Sequence, residues 1–146
     1  MLPTGCFFTG HDVDVLPWLR AEHDQRRRAL LIFLRNSMLR AVLSGCQSFY
    51  VDVRHILDAE AAAYATLLAK DIQHLRVISL PADLQHAGEA NFCRFTFTHC
   101  NTLIAAYHDE DSRPGRITRA AHECGISVSL FDTLSMATAH PGHSLY

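Results

Sequence analysis

What most constrains this chain is an alternation. Five short apolar runs, Cys6–Thr9, Ser48–Val53, Leu75–Leu80, Thr102–Tyr107 and Ile126–Phe131, are separated by longer segments with helical spacing. In residues 24–43, Leu30, Leu31, Leu34, Met38, Ala41 and Val42 recur at three- and four-residue steps, and Ser44-Gly45 supplies a stop. Residues 58–70 are alanine-rich, with Leu57, Ala61, Tyr64 and Leu68 on one face. Ile117–Cys124 predicts a short helix ended by Gly125. Strands that read as continuous apolar runs are covered on both faces, and strand–helix alternation predicts a parallel sheet. Right-handed crossovers then leave few topologies. The expectation is an α/β three-layer sandwich with a mainly parallel five-stranded sheet over residues 1–132. Residues 133–146 contain Pro141-Gly142 and read as a tail, docked only if Leu145 and Tyr146 hold it. Between residues 82 and 100 the pattern is weakest: Ala82–Ala90 suggests a short helix, Arg94–Thr98 (RFTFT) a strand. His108–Gly115 (HDEDSRPG) reads as a polar loop.

Composition excludes several classes. With 146 residues, one domain can hide roughly 68–70% of the unfolded chain's surface. A net charge of −2 and a single basic run, Arg26–Arg28, speak against nucleic acid. That run reads as a solvated helix end. Cys6, Cys46, Cys93, Cys100 and Cys124 form no C-x-x-C pair, and the histidines near them lack zinc-ligand spacing, so no metal or other cofactor is expected. The apolar run Ala29–Leu34 is too short to span a bilayer. No basic stretch and no long apolar segment marks a signal peptide. These features suit a cytoplasmic protein with free thiols and no membrane partner.

In a doubly wound sheet, ligands sit beyond the carboxyl ends of the strands, where strand order reverses. The residues there are Gly10, His11 and Asp12; Asp52, Val53 and Arg54; Ala82 and Asp83; His108 and Asp109; and Asp132.

The stretch Cys6-Phe7-Phe8-Thr9-Gly10-His11 resembles the C-x-F-T-G-H-R opening of the YpsA-like branch of the SLOG superfamily. These are Rossmann-like relatives of DNA-processing protein A and of LOG-type phosphoribohydrolases. Asp58, with Ala61 and Ala62 after it, fits the end of the branch's S-G-G-A-L-G-V-D motif and the helix that follows. Arg94-Phe95 resembles an R-Y pair before the fourth strand. Cys100–Asp109 (CNTLIAAYHD) fits its S-D-x-L-I-A-V-x-D-G strand, and Gly125 fits the glycine before the last strand. The resemblance spans about residues 5 to 132 and implies a Rossmann-like fold with a nucleotide or phosphate pocket.

The departures bear on that pocket. The glycine motif aligns with Val51–Asp58 (VDVRHILD), in which all three glycines are gone. Glycine lets a backbone approach a phosphate at angles a β-carbon resists, and Val53 and Ile56 are β-branched. The later glycine pair falls at Ser112-Arg113 or Pro114-Gly115. Asp12 replaces the arginine after the TGH, and Asp14, Asp52, Asp109, Glu110 and Asp111 add negative charge against Arg54, Arg113 and Arg116.

Three readings follow. An enzyme of the phosphoribohydrolase type needs a carboxylate and a phosphate cradle, but Glu123 has no glycine-rich run before it and reads as a solvent-facing helix residue. A binding module keeps the pocket for another small ligand, with Thr9, Gly10, His11, Asp52, Arg54, Asp58, Tyr107 and Asp109 as its polar and lining groups. Asp58 equally suits a helix N-cap, His11 a backbone-bonded loop residue, and Asp52–Arg54 a surface pair. An interaction protein would use Ile32, Phe33 and Leu39, which lie off the first stripe of the 24–43 helix, to form a homodimer. The expectation is a ligand-sensing or partner-binding SLOG-type protein with a degenerate phosphate loop and no catalytic residues.

Overall fold

A computed structural model describes residues 3–84 and 88–141. The chain runs β1 (Gly5–Gly10), a 3-10 turn (Pro17–Arg20), α1 (Gln25–Leu43), β2 (Ser48–Val51), α2 (Ile56–Asp71), β3 (Arg76–Ser79), α3 (Glu89–His99), β4 (Cys100–Tyr107), α4 (Arg113–Glu123), β5 (Ser127–Asp132) and β6 (Thr138–Ala139). The sheet order is β3-β2-β1-β4-β5-β6, with all pairs parallel except β5–β6. This is a Rossmann-like α/β sandwich. Because β1, β2 and β4 are parallel, Thr9, Val53 and Tyr107 lie at the sheet's carboxyl edge.

Alternate side chains of one strand feed different layers. Cys6 and Phe8 of β1 pack with Leu30, Phe33, Leu34 and Met38 of α1 and Leu57, Ala61 and Ala65 of α2. Phe7 points the other way, with Leu103 and Ala105 of β4, to meet Phe92 of α3 and Ile117 and Ala121 of α4. The two-residue period of a strand thus fills a core on each face. Two helices start on side-chain caps: Asp24 accepts a hydrogen bond from Arg26 N (2.8 Å) at α1, and Ser112 accepts one from Gly115 N at α4.

Four expectations need correction. The sheet has six strands, not five. Asp132 Oδ1 accepts from Leu134 N (2.9 Å) and Ser135 N (3.1 Å), Met136 adopts a left-handed φ of 66°, and the chain returns to pair β6 with β5. A two-residue strand carries no periodicity to read. Residues Arg94–Thr98 are helical, within α3. The chain must cross from edge strand β3 to β4 beside β1, and a parallel crossover is usually a helix. There Thr96 and Thr98 hydroxyls turn back to the carbonyls of Phe92 (2.9 Å) and Arg94 (2.7 Å), while Phe92 packs edge-on against Phe7. Helix α4 starts at Arg113, inside the expected polar loop, because Ser112 caps it and Pro114 suits its first turn. Asp58 does not cap α2; it lies one residue-pair inside the helix, whose N-cap is His55.

Phe33 is buried within the chain against Phe131 (5.4 Å between ring centroids), whereas Ile32 and Leu39 are 54% and 37% exposed. Leu145 and Tyr146 lie outside the described residues. Among the described residues, no helix is long and apolar enough to cross a membrane.

Candidate functional site

Strand order reverses between β1 and β4, so the switch-point crevice opens beyond Gly10 and Tyr107. A cleft of about 70 Å³ lies there, lined by Thr9, Gly10 and His11 from β1 and its loop, Asp52, His55 and Asp58 from the β2–α2 connection, and Arg113 and Ile117 from α4. Small-molecule sites commonly enclose roughly 300–1,000 Å³. The cleft is therefore far below nucleotide size.

Its polar groups are bound to one another. Asp58, 5% exposed, accepts a hydrogen bond from Asp52 N through Oδ2 (2.8 Å). Asp52 Oδ1 accepts from Arg54 N (3.2 Å) and Nε (2.9 Å), and Oδ2 accepts from Arg54 Nη2 (2.9 Å). Asp12 Oδ1 accepts from Val13 N (2.8 Å), and its Oδ2 meets His55 Nδ1 at 3.0 Å. Asp109 Oδ1 accepts from Asp111 N (2.9 Å). After β1, β2 and β4, the backbone amides of Val13, Asp52, Arg54 and Asp111 are thus taken by the chain's own carboxylates. The β2–α2 loop also contains no residue with positive φ, the conformation that glycine serves.

The two central carboxyls are driven apart. Burial pushes the Asp58 carboxyl well above the usual range; the Asp52 amide opposes this, and the charges of Asp52 and Asp12 add to it. Hydrogen bonds from the Arg54 side chain hold Asp52 below that range. Such a split is what acid–base sites use. Here, however, both Asp52 oxygens are committed to Arg54.

His11 acts as a clasp across the switch point. Its backbone N–H donates to Ala106 O (3.0 Å), and its Nε2 accepts from His108 N (3.2 Å). An accepting Nε2 requires the proton on Nδ1. Burial and then His108 lower its pKa, against Asp109 and Asp14, which favours the neutral ring. Gly10 serves packing: a β-carbon there would lie 2.9 Å from Ala106 O and 3.0 Å from Leu57 Cδ2.

Of the residues expected to form the site, Thr9, Gly10, His11, Asp52 and Asp58 line the cleft, and Arg54 folds over Asp52 at its rim. Tyr107 faces the α4 side, where it lines a separate groove with Thr118 and Arg119. Asp109 shapes the turn into α4. Glu123 is exposed at the far end of α4. Sequence reasoning missed His55, which links Asp12 to the Asp52 loop; Arg113, expected among the cations facing the acidic rim, does line the cleft, its guanidinium 5.3 Å from the centre of the Phe92 ring. Among the described residues, no cluster of His, Cys, Asp or Glu can hold a metal ion.

No family model matches the chain, and no curated protein matches it.

Proposed function

We propose that this chain is a SLOG-type, Rossmann-like binding module that senses a small ligand or engages a protein partner, and that its nucleotide-phosphate grip is lost. The observation that carries this reading is the capture of loop amides by Asp12, Asp52, Asp58 and Asp109. A phosphate entering the cleft would meet the Asp52 carboxylate in its wall, and a close like-charge contact costs on the order of 1 kcal/mol or more. The small volume and the engagement of Arg54 by Asp52 act in the same direction. Five cysteines without a disulfide, together with the net charge of −2, suit a cytoplasmic protein that does not bind nucleic acid.

Titration calorimetry with AMP, ATP and a nicotinamide dinucleotide tests the reading. The expected result is binding no tighter than about millimolar, equivalent to about −4 kcal/mol. Micromolar binding that weakens in Arg54→Ala or His11→Ala would refute it and favour a phosphoribohydrolase-like enzyme.

A second reading, that the chain works as a homodimer, is favoured by one surface feature. Ile32, Leu39 and Leu43 of α1 are exposed and recur at seven- and four-residue steps, which places them on one stripe. Light scattering should then give twice the chain mass, falling to the monomer mass in Ile32→Glu/Leu39→Glu. A monomer at high concentration in the unaltered protein would dismiss it.

A further inference from the structure

At the opposite pole of the sheet, a cleft of about 430 Å³ lies between the last turns of α1 and the amino ends of β4 and β5. Its size falls within the range of small-molecule sites. The fold gives no reason to expect a ligand there, since doubly wound sheets bind at the carboxyl edge.

The lining is polar and its charge is one-sided. Ser37, Arg40 and Ser44 come from α1 and its cap, Ser127 and Ser129 from β5, and His140 from the end of the β6 return. Among the described residues no aspartate or glutamate lines it, in contrast to the switch-point cleft. Ser129 Oγ lies 3.2 Å from His140 Nδ1, and the His140 ring stacks on Phe33 with centroids 5.6 Å apart, so this wall is braced.

Ser37 points to a ligand independently of the lining. It is 2% exposed, and its Oγ makes no hydrogen bond. A helical serine can satisfy its hydroxyl on the carbonyl four residues earlier. Ser37 does not, and an unspent buried hydroxyl is costly. We propose that this cleft binds a small hydroxylated oxyanion, of the sugar-phosphate or hydroxycarboxylate class, with Arg40 pairing its charge and Ser37 and Ser129 hydrogen-bonding it. Arginine suits an oxyanion because its planar fork matches two oxygens at once.

The test is a nuclear magnetic resonance titration of the full, nitrogen-15-labelled chain with glycerol 3-phosphate, lactate and uncharged glycerol. Saturable amide shifts centred on Ser37, Ser129 and His140 are expected with at least one of the two anions and not with glycerol. The anion that saturates assigns the phosphate or carboxylate source. Ser37→Ala should melt no lower than the unaltered protein, because no protein hydrogen bond is lost, yet bind about tenfold more weakly; Arg40→Gln should weaken binding by about tenfold as well. The proposal is overturned by any one of four results: no saturable shift, an equal response to glycerol, shifts centred instead on His11 and Arg113, or unchanged affinity in either variant.

Discussion

The buried Asp58 makes a sharp test of the switch-point chemistry. Asp58→Asn removes the titrating group but keeps a carbonyl oxygen that can accept from Asp52 N, now 2.8 Å from Oδ2. Burial raises the folded-state pKa of Asp58 above its unfolded value, so the folded chain holds this proton more tightly. Its stabilising share is fully present below the ordinary carboxylate pKa and is lost as pH rises through the folded value. Each pH unit inside that window costs the native protein about 1.4 kcal/mol relative to the variant. For a domain of 146 residues that is about 4–5 °C in Tm per pH unit. The carboxyls with lowered pKa, Asp24, Asp52, Glu89 and Asp132, act in the opposite sense, below the ordinary carboxylate value, and largely cancel in the comparison. Thermal melts of both proteins from mildly acid to mildly alkaline pH provide the assay. The native Tm should fall towards, and then below, that of Asp58→Asn as pH rises. Parallel curves across the range would refute the argument. Asp58→Ala separates the proton from the hydrogen bond: it strands Asp52 N and should lose about 1–3 kcal/mol at every pH.

Two further outcomes follow from packing and burial. Gly10→Ala should lose about 1–3 kcal/mol, since its β-carbon meets the Ala106 carbonyl; Gly115→Ala should lose more, because there the β-carbon would sit 2.5 Å and 2.6 Å from the backbone oxygens of Glu110 and Asp109. Denaturant titrations check both, and an unchanged midpoint in either would contradict the close approach. In thiol labelling, exposed Cys124 should react first, while Cys6, Cys46 and Cys100 stay protected until unfolding. Burial pushes the Cys46 thiol up to about 11 and raises Cys6 and Cys100 as well. Rapid modification of Cys46 in the folded protein would count against that burial.

The β–α alternation was legible in the chain because each apolar run and each helical stripe must bury its face against something, whatever the partner. The same logic brought Thr9, Gly10, His11, Asp52 and Asp58 to one edge, since residues that follow parallel strands end together. It failed at residues 94–98, where alternating phenylalanines and threonines suit a strand locally. The need to cross the sheet, and the contact of Phe92 with Phe7, made them helix instead. It also failed at β6, whose two residues pair only because the Asp132 turn brings them back to β5. Above all, the state of the site was decided by tertiary placement. Asp12 meets His55 across 43 positions, and His11 accepts from His108 across 97. Periodicity reports that a residue is buried, but whether a buried carboxylate awaits a ligand or is spent on an amide depends on which distant loop the fold sets beside it.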